Sequence, residues 1–339
     1  MGTPEKNAAR KIDRIARALA ALARHERACR LCPRDCGVDR SAGARGFCGG
    51  GSNAAVSHAL LHFGEEPILS GGPVIAAPAN GAVASRAGSG TIFFSGCSLK
   101  CCYCQNYQLS WLRRGREVGD EELARMMLDL ERRGALNINL VSPTHYWLPI
   151  LRALRAAFAG GLSLPIVANS SGYEKASTVA QLEGIVDVYL PDLKYASDEL
   201  SARYSGASDY FRQAGEAVRE MFLQQPLLLL DDHEIASEGL VIRHLVLPGQ
   251  VENSLAVLEW ISSELGPSVA LSLMSQYHPC FRAPAELQRA VAPEEYARVL
   301  ARAQELGFEH LFVQPQAFSD EDHLFPDFDL EEPFEWGRE

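Results

Sequence analysis

The chain has 339 residues, a hydrophobic content of 47% and a formal net charge of −11 at pH 7. Its length and apolar content allow a large buried core, and α/β barrels reach this size as one domain. The negative charge argues against general nucleic-acid binding. No apolar run approaches the ~18 residues of a membrane-spanning helix, and the arginine-rich start lacks the apolar segment of a secretory signal. We therefore expect a cytoplasmic protein that binds neither nucleic acid nor membrane.

Residues 5–28 have the periodicity of an amphipathic helix. One face is apolar, with Ile12, Ile15, Leu19 and Leu22 at helical spacing, and the opposite face is basic. We expect this helix to pack on the body of the protein with its basic face in water. Docking of the helix on a partner is the alternative.

A group of four cysteines follows, made of Cys29, Cys32, Cys36 and Cys48. The sequence has nine cysteines, which in a cytoplasmic chain favour metal or cluster chemistry over disulfides. Four thiols this close make a complete tetrahedral ligand set, which suits Zn²⁺ or an auxiliary [4Fe–4S] cluster equally well. Reduced structural cysteines are the alternative. Because metal binding at such a site is coupled to local folding, we expect a structural role.

Residues 49–89 are rich in glycine, alanine, serine and proline, with turn signals at 69–73 and 78–81. We interpret this segment as a linker that wraps toward the first strand of the main domain.

The stretch GTIFFSGCSLKCCYCQNYQLS is the most informative part of the sequence. A β-type run at 91–94 ends at a Ser-Gly pair, so a loop just past a strand should hold Cys97, Cys101 and Cys104. Three thiolates on a short loop suit a soft metal or an iron–sulfur cluster, and three ligands leave one iron open for chemistry. The alternative is a structural zinc loop with Cys102 or a distant residue as fourth ligand. We expect Cys102 to be a packed thiol, because adjacent side chains on an extended backbone point apart.

From residue 90 to 313 the order strand, loop, helix repeats about six times, with apolar strands. Strands that are apolar throughout are buried on both faces, as parallel sheets require. A doubly wound sheet also fits this alternation. Polar clusters, however, follow nearly every strand at its carboxyl end, and a partial or full β/α barrel gathers such loops at one mouth. We therefore predict an α/β fold with a partial β/α barrel and an N-terminal helical, cysteine-rich extension.

The polar clusters contribute candidate ligand-binding residues at this mouth. They are Ser142, Thr144, Asn169, Ser171, Asp192, Lys194 and Arg243. Asp192 and Lys194 are two residues apart after a strand and so point the same way, with a mutual surface ion pair as the alternative. Arg243 is a lone charge in an apolar strand and needs a partner, either a ligand carboxylate or a barrel acid such as Asp192.

The spacing C-x3-C-x2-C, with Tyr103 before the last cysteine, resembles that of the radical S-adenosylmethionine (SAM) enzymes. With its flanks FFSGC and QN, the loop is similar to a branch close to the pyruvate formate-lyase activating enzymes, and the resemblance covers most of the chain. It implies a partial (β/α)6 barrel of radical SAM type and a [4Fe–4S] cluster held by Cys97, Cys101 and Cys104, with SAM on the open iron. In that family, reduction of the cluster cleaves SAM to methionine and a 5′-deoxyadenosyl radical, which abstracts hydrogen from a substrate.

The resemblance also implies roles for residues at the mouth. Asn169 and Ser171 match the loop that contacts the amino-acid or ribose portion of SAM. Asp192 and Lys194, in PDLK, resemble a DxK motif in which the lysine pairs with the SAM carboxylate and the aspartate helps to position the sulfonium end. Arg243 matches an arginine that the activating enzymes place near SAM.

One slot departs from the family pattern. The loop after the second strand often carries a GGE-type motif that binds the amino group of SAM, but here it reads Ser-Pro-Thr-His at 142–145. No acid is present, so Ser142 and Thr144 are expected to accept those hydrogen bonds through hydroxyl or carbonyl oxygens.

We predict a radical SAM oxidoreductase that acts on a protein or peptide, as a glycyl-radical activase does, and uses a reducing electron donor such as flavodoxin or ferredoxin. The alternatives are radical SAM modification of a small molecule and, from a different class, a non-catalytic zinc-binding scaffold. On this interpretation 1–50 is the helix with the four-cysteine metal segment, 51–89 the linker, 90–318 the barrel and 319–339 an acidic tail.

Overall fold

The computed structural model describes residues 4–71, 87–313 and 326–334. The strands are β1 Ala54–His62, β2 Gly88–Phe94, β3 Arg116–Val118, β4 Ala135–Val141, β5 Ile166–Ser170, β6 Val188–Pro191, β7 Leu229–Leu230, β8 Ala236–Leu245, β9 Ala270–Met274 and β10 Leu311–Val313. The helices are α1 Pro4–Leu22, α2 Pro67–Ser70, α3 Tyr107–Ser110, α4 Asp120–Arg132, α5 Trp147–Ala159, α6 Ala176–Val179, α7 Asp198–Ser205, α8 Tyr210–Gln224, α9 Val251–Leu265 and α10 Pro293–Glu305. None of the helices in the described part of the chain combines the length and apolar character that crossing a membrane requires.

The strands form one sheet in the order β10-β9-β8-β6-β5-β4-β2-β1-β3, and β7 pairs with β8 as a hairpin. Neighbours from β10 to β2 are parallel, whereas β1 and β3 are antiparallel additions at one edge. Strands such as β2 and β9 are buried throughout, as strands of a parallel sheet covered on both faces are. Over the described residues, the edge strands β3 and β10 do not pair, so the sheet stays open. The predicted α/β fold with a partial barrel is confirmed.

The long helices cover one face of the sheet. Helix α1 packs on α5 and buries Ile15 and Leu22, while Arg17 remains exposed. Lys11, at the edge of the buried stripe, forms an ion pair with Asp187. The expected packing of this helix on the body of the protein is therefore present.

The other face of the sheet is filled by a short segment, residues 63–71, which we call the plug. Its helical turn α2 buries Ile68 and Leu69 against strand residues such as Val167 of β5. Asn137 of β4 donates from Nδ2 to the carbonyl oxygen of Leu69 at 2.8 Å. The interior of the partial barrel is therefore closed by the chain itself below the strand ends.

Arg243 of β8 fixes the plug through two carboxylates. Its Nε donates to Oε1 of Glu66 at 2.8 Å, and its Nη2 contacts both Glu65 and Glu66. The side chains of Arg243, Glu65 and Glu66 are only 14%, 7% and 8% exposed. Burial alone would raise the pKa of Glu66, but Arg243 holds that pKa below its usual value. The barrel interior is thus held by buried ion pairs as well as by apolar packing.

Three elements differ from the sequence-based expectation. Helix α1 ends at Leu22 and continues only as a 3₁₀ turn over Ala23–Glu26, and α7 precedes α8 where one helix was expected. The segment interpreted as a linker contains the nine-residue strand β1. This strand has few β-branched residues, so its pairing with β2 rather than its own propensity makes it a strand. The division of the chain into four units stays a prediction.

The described C-terminal segment, 326–334, returns to the sheet. Phe328 and Phe334 pack on Phe93 of β2 with ring centroids 5.2 and 5.6 Å away. The backbone N–H of Phe328 donates to Oε1 of Gln108 at 2.8 Å. This part of the acidic tail therefore folds back over the barrel, and the rest of the tail lies outside the described residues.

We predict that Arg243→Leu lowers the free energy of unfolding by about 3–5 kcal/mol, because it leaves two buried carboxylates without their cation. Urea unfolding followed by circular dichroism measures the change. Arg298→Leu is the control, since it breaks an exposed pair with Glu252 and should cost only ~0–1 kcal/mol. A loss in Arg243→Leu no larger than in the control would show that these ion pairs do not hold the plug.

Candidate functional site

The three-cysteine loop begins where β2 ends. The backbone N–H of Ser95 donates to Ala55 at 2.8 Å, and that of Gly96 donates to Leu109 at 2.9 Å. Gly96 has a φ of 85°, a left-handed conformation that glycine adopts without steric cost. A Cβ at this position would also clash with the carbonyl oxygen of Cys48. The N-terminal cysteine segment therefore packs directly against the start of the loop.

Each of the three loop sulfurs accepts one hydrogen bond from the protein, at 3.2 to 3.3 Å. The pairs are the N–H of Leu99 with Cys97, Oγ of Ser205 with Cys101, and Oγ of Ser110 with Cys104. Donors aimed at sulfur are what thiolate ligands of a metal or cluster need. The loop is therefore equipped with the outer hydrogen bonds that orient such ligands.

The three thiols also act on one another. Burial raises the pKa of Cys97 and of Cys104, and the neighbouring thiol of Cys101 raises both further. Within the residues that the structure describes, no three His, Cys, Asp or Glu side chains stand in a geometry that would hold a metal ion. The donor set therefore fits an iron–sulfur cluster through its chemistry and its hydrogen bonds, without a preformed ligand geometry.

Lys194 and Asp192 lie beside these thiols. Burial alone would lower the pKa of Lys194, but Asp192 and the thiols of Cys101 and Cys104 raise it above its usual value. Nζ of Lys194 is 2.6 Å from Oδ2 of Asp192, and the two side chains are only 15% and 20% exposed. The two residues are thus paired as one alternative expected, but the pair is buried next to the loop and not on the surface.

Tyr210, which the sequence did not single out, joins three of the predicted residues. Its hydroxyl lies 2.8 Å from the carbonyl oxygen of Ser171 and 3.0 Å from that of Asp192. It also accepts a hydrogen bond from the backbone N–H of Lys194 at 3.0 Å. Ser171, Asp192 and Lys194 are therefore brought together by one buried side chain on α8.

Ser142, Thr144 and Asn169 form a second group. The N–H of Ser142 donates to the carbonyl oxygen of Asn169 at 2.8 Å, which joins the loop after β4 to the end of β5. Oγ1 of Thr144 donates to Oε1 of Glu174 at 2.6 Å. Burial raises the pKa of Glu174 to about 7, although hydrogen bonds from Thr144 and Ser170 oppose this shift. Glu174 follows the Asn-Ser-Ser-Gly-Tyr string, and sequence analysis missed it although the neighbouring loop lacked an acid.

Arg243 differs from the other predicted residues. Its guanidinium is engaged by Glu65 and Glu66 of the plug, partners that the sequence analysis did not consider. Only its backbone borders the site, where its carbonyl oxygen accepts from the N–H of Leu193 at 2.8 Å. Two consecutive acids before a proline in an apolar segment were the available signal for this pairing.

The N-terminal cysteines gather next to the loop. Cys29, Cys32 and Cys48 are buried and Cys36 is half-buried. Burial, together with the other three thiols, raises the pKa of Cys32 to about 12. Sγ of Cys48 accepts from Nη2 of Arg40 at 3.6 Å. The four thiols are neighbours, but a zinc ion or second cluster among them stays a prediction.

The chain is 28% identical over 296 residues to the uncharacterized protein MJ0674 of Methanocaldococcus jannaschii, covering 84% of this chain and 76% of that protein. No protein-family model matches the sequence. Among solved structures, SuiB of Streptococcus suis aligns with a TM-score of 0.43 and 13% identity, over 68% of this chain and 48% of that one. Methylornithine synthase (PylB) aligns with a TM-score of 0.41 and 16% identity, over 61% of this chain and 59% of that one. This chain thus spans less than two thirds of either structure, and similarities of this size assign neither a family nor a function.

Gly96→Ala is expected to destabilise the protein more than Gly134→Ala does. Both glycines have a positive φ, of 85° and 89°, so an alanine costs about 1–2 kcal/mol at either position. Only at position 96 does the new methyl group also meet backbone, whereas nothing lies within 4 Å at position 134. Urea unfolding and the rate of thiol labelling measure the difference. Equal losses in the two variants would show that the close approach of Cys48 is not needed.

Glu174 should make the protein less stable as pH rises. Its pKa is about 7 when folded and 4.5 ordinarily, so its contribution to stability is present below pH 4.5 and is lost as pH rises through 7. We expect wild type to lose on the order of 2 kcal/mol relative to Glu174→Gln between pH 5 and pH 8. Urea unfolding of both proteins at the two pH values tests this. Parallel pH dependences would contradict an ionisable group buried at this position.

Proposed function

We propose that this protein is a radical SAM enzyme that holds a [4Fe–4S] cluster through Cys97, Cys101 and Cys104. The observation that carries the proposal is that three mutually interacting thiols on one short loop, Cys101 buried and the other two half-buried, each accept a hydrogen bond. The spacing of the three cysteines resembles the motif of that family. When bound, the cluster and SAM supply a 5′-deoxyadenosyl radical, which takes a hydrogen atom from the substrate.

In this proposal Lys194 binds the carboxylate of SAM. Asp192 accepts a hydrogen bond from the ammonium of Lys194 at 2.6 Å, and this bond keeps the Lys194 side chain charged and in place beside the loop. The hydroxyl of Thr144 donates a hydrogen bond to Glu174, so the lone pairs of that hydroxyl oxygen can accept a hydrogen bond from the ammonium of SAM. Glu174 thereby acts through Thr144 in a loop that has no acid of its own.

The remaining predicted SAM-binding residues differ in whether they are proposed to contact SAM directly. Ser142 follows β4, Asn169 lies near the end of β5 and Ser171 follows β5, where their polar groups suit the amino-acid and ribose portions of SAM. Arg243 is proposed to act only at a distance, since Glu65 and Glu66 already occupy its guanidinium.

A buried chain of hydroxyls supports Cys101 from behind. The hydroxyl oxygens of Tyr103 and Tyr195 are 2.7 Å apart, and that of Tyr195 is 2.9 Å from Oγ of Ser205. Because Ser205 donates to the sulfur, Tyr195 donates to Ser205 and Tyr103 to Tyr195. This chain of hydroxyls ends in a hydrogen bond to the sulfur of Cys101 and fills space that water would otherwise enter. A site that forms a radical requires such exclusion of water.

As substrate we propose a protein or peptide, because the loop resembles that of the activating enzymes, and as electron source a flavodoxin or ferredoxin. A small-molecule substrate is the alternative. Because the radical takes a hydrogen atom, deuterium from a labelled substrate appears in 5′-deoxyadenosine. Incubation with deuterated peptide pools and, separately, with deuterated small molecules distinguishes the two.

Cys101→Ala and Cys104→Ala should each abolish formation of 5′-deoxyadenosine from SAM after anaerobic reconstitution with iron and sulfide. Cys102→Ala is the matched control on the same loop and should retain the activity, because its thiol is not a proposed ligand and alanine keeps the backbone hydrogen bonds to Tyr204 and Arg282, at 2.8 and 3.0 Å. Chromatography of the quenched reaction measures the product. Persistent product in either ligand variant would refute the assignment. If wild type took up only zinc and Cys97→Ala changed no spectrum, the scaffold alternative would stand instead.

A further inference from the structure

A continuous strip of cations and aromatic rings runs over the surface of the three-cysteine loop. We call it the basic–aromatic strip, and its members are Arg34, Phe47, Lys100, Trp111, Phe281 and Arg282. Cζ of Arg34 lies 4.1 Å from the ring centroid of Phe47, and Nζ of Lys100 lies 4.7 Å from the same ring and 5.6 Å from that of Trp111. Cζ of Arg282 lies 5.0 Å from the rings of Trp111 and Phe281. Cations and rings therefore alternate along one face.

The strip is attached to the backbone of the loop itself. Nε1 of Trp111 donates to the carbonyl oxygen of Cys101 at 3.0 Å, and the N–H of Arg282 donates to that of Cys102 at 3.0 Å. Arg34 donates from Nε to the carbonyl oxygen of Ser98 at 2.9 Å. These residues therefore contact the backbone between the proposed cluster ligands directly.

The cations of this face lack acidic partners. Over the described ranges, no carboxylate forms an ion pair with Arg34, Lys100 or Arg282, nor with Arg113 close by. Three described acids near the strip have cations of their own, in the pairs Asp35 with Lys175, Glu117 with Arg45, and Glu286 with Arg203. A chain with a net charge of −11 thus keeps a locally positive face over its cysteine loop.

This face is also accessible and partly apolar. Phe47 is 41% exposed, and Leu112, next to Trp111, is 51% exposed. Arg113 and Arg282 are exposed as well. Arginine and tryptophan are enriched among the residues that dominate protein–protein binding, and exposed apolar groups rimmed by charge mark such surfaces. The composition is therefore that of a docking surface for a protein.

We propose that the basic–aromatic strip docks an acidic one-electron carrier protein, such as a reduced flavodoxin or ferredoxin. This inference rests on the proposed function, which requires one electron at the cluster. The reaction at this surface would be the transfer of one electron, which oxidises the carrier and reduces the proposed cluster. No bond forms and no proton moves. Charge complementarity favours an acidic partner, since a second copy brings the same net charge of −11.

The test compares two double variants that change net charge equally. The strip variant, Arg113→Glu with Arg282→Glu, reverses two exposed cations beside the loop. The control variant, Arg125→Glu with Arg155→Glu, reverses two exposed arginines elsewhere. Calorimetry at low ionic strength measures binding of a flavodoxin of strongly negative net charge. Formation of 5′-deoxyadenosine is followed with reduced flavodoxin and, separately, with dithionite, which needs no docking surface.

We expect the strip variant to bind flavodoxin at least about tenfold more weakly and to lose flavodoxin-driven activity to a similar degree. Its dithionite-driven activity should equal that of wild type, and the control variant should match wild type throughout. Added salt should weaken wild-type binding toward that of the strip variant. Phe47→Ser leaves all charges in place and should weaken flavodoxin binding several-fold. This variant tests the same surface if the strip variant folds poorly.

Unchanged flavodoxin binding in both Phe47→Ser and the strip variant overturns the proposal, as does an equal loss in the control variant. If sedimentation shows that the strip variant loses self-association while flavodoxin binding stays the same, the occupant is a second copy and the proposal is wrong. Absence of 5′-deoxyadenosine from wild type with dithionite refutes the proposed function instead, and calorimetry still decides whether the strip binds the carrier.

Discussion

The contact between Gly96 and the backbone of Cys48 is the constraint on which the arrangement of the site depends. The chain leaves β2 and must turn at once, and a left-handed glycine without a side chain is what allows the N-terminal segment to lie against it. Arg34 strengthens the same junction, because its guanidinium donates to carbonyl oxygens of Ser98 and Ser205. The three-cysteine loop is therefore one layer of a packed junction and is shaped by a segment about fifty residues earlier.

Buried charges are paired both in the interior and at the mouth of the partial barrel. Deep in the interior, Arg243 holds the two carboxylates of the plug, and at the mouth Asp192 holds Lys194 beside the thiols. Glu174 is the exception, since hydroxyl donors rather than a cation surround it and burial raises its pKa. Unpaired charge is costly in such surroundings, so these pairings restrict which groups remain available to a ligand. They leave Lys194 beside the thiols of the loop and engage the guanidinium of Arg243 with the plug.

The distribution of charge is more informative about partners than its sum. A net charge of −11 argues against nucleic acid, yet cations that have no ion-pair partner among the described residues concentrate with aromatic rings over the cysteine loop. The acids near them are neutralised by other basic residues, so the local field stays positive. A basic face on a protein of negative net charge is suited to selective docking of an acidic partner, because complementary charge favours that face over the acidic parts of the surface.

The sequence alone determined the α/β alternation, the position of the three-cysteine loop and the proximity of Asp192 to Lys194. These features depend on short spacings along the chain, where strand periodicity and loop length dictate geometry. Only the tertiary structure decided that Arg243 meets Glu65 and Glu66, that Thr144 meets Glu174, and that the basic–aromatic strip exists. Each of these joins segments far apart in sequence, so which charges become partners depends on how the chain packs and not on its local pattern.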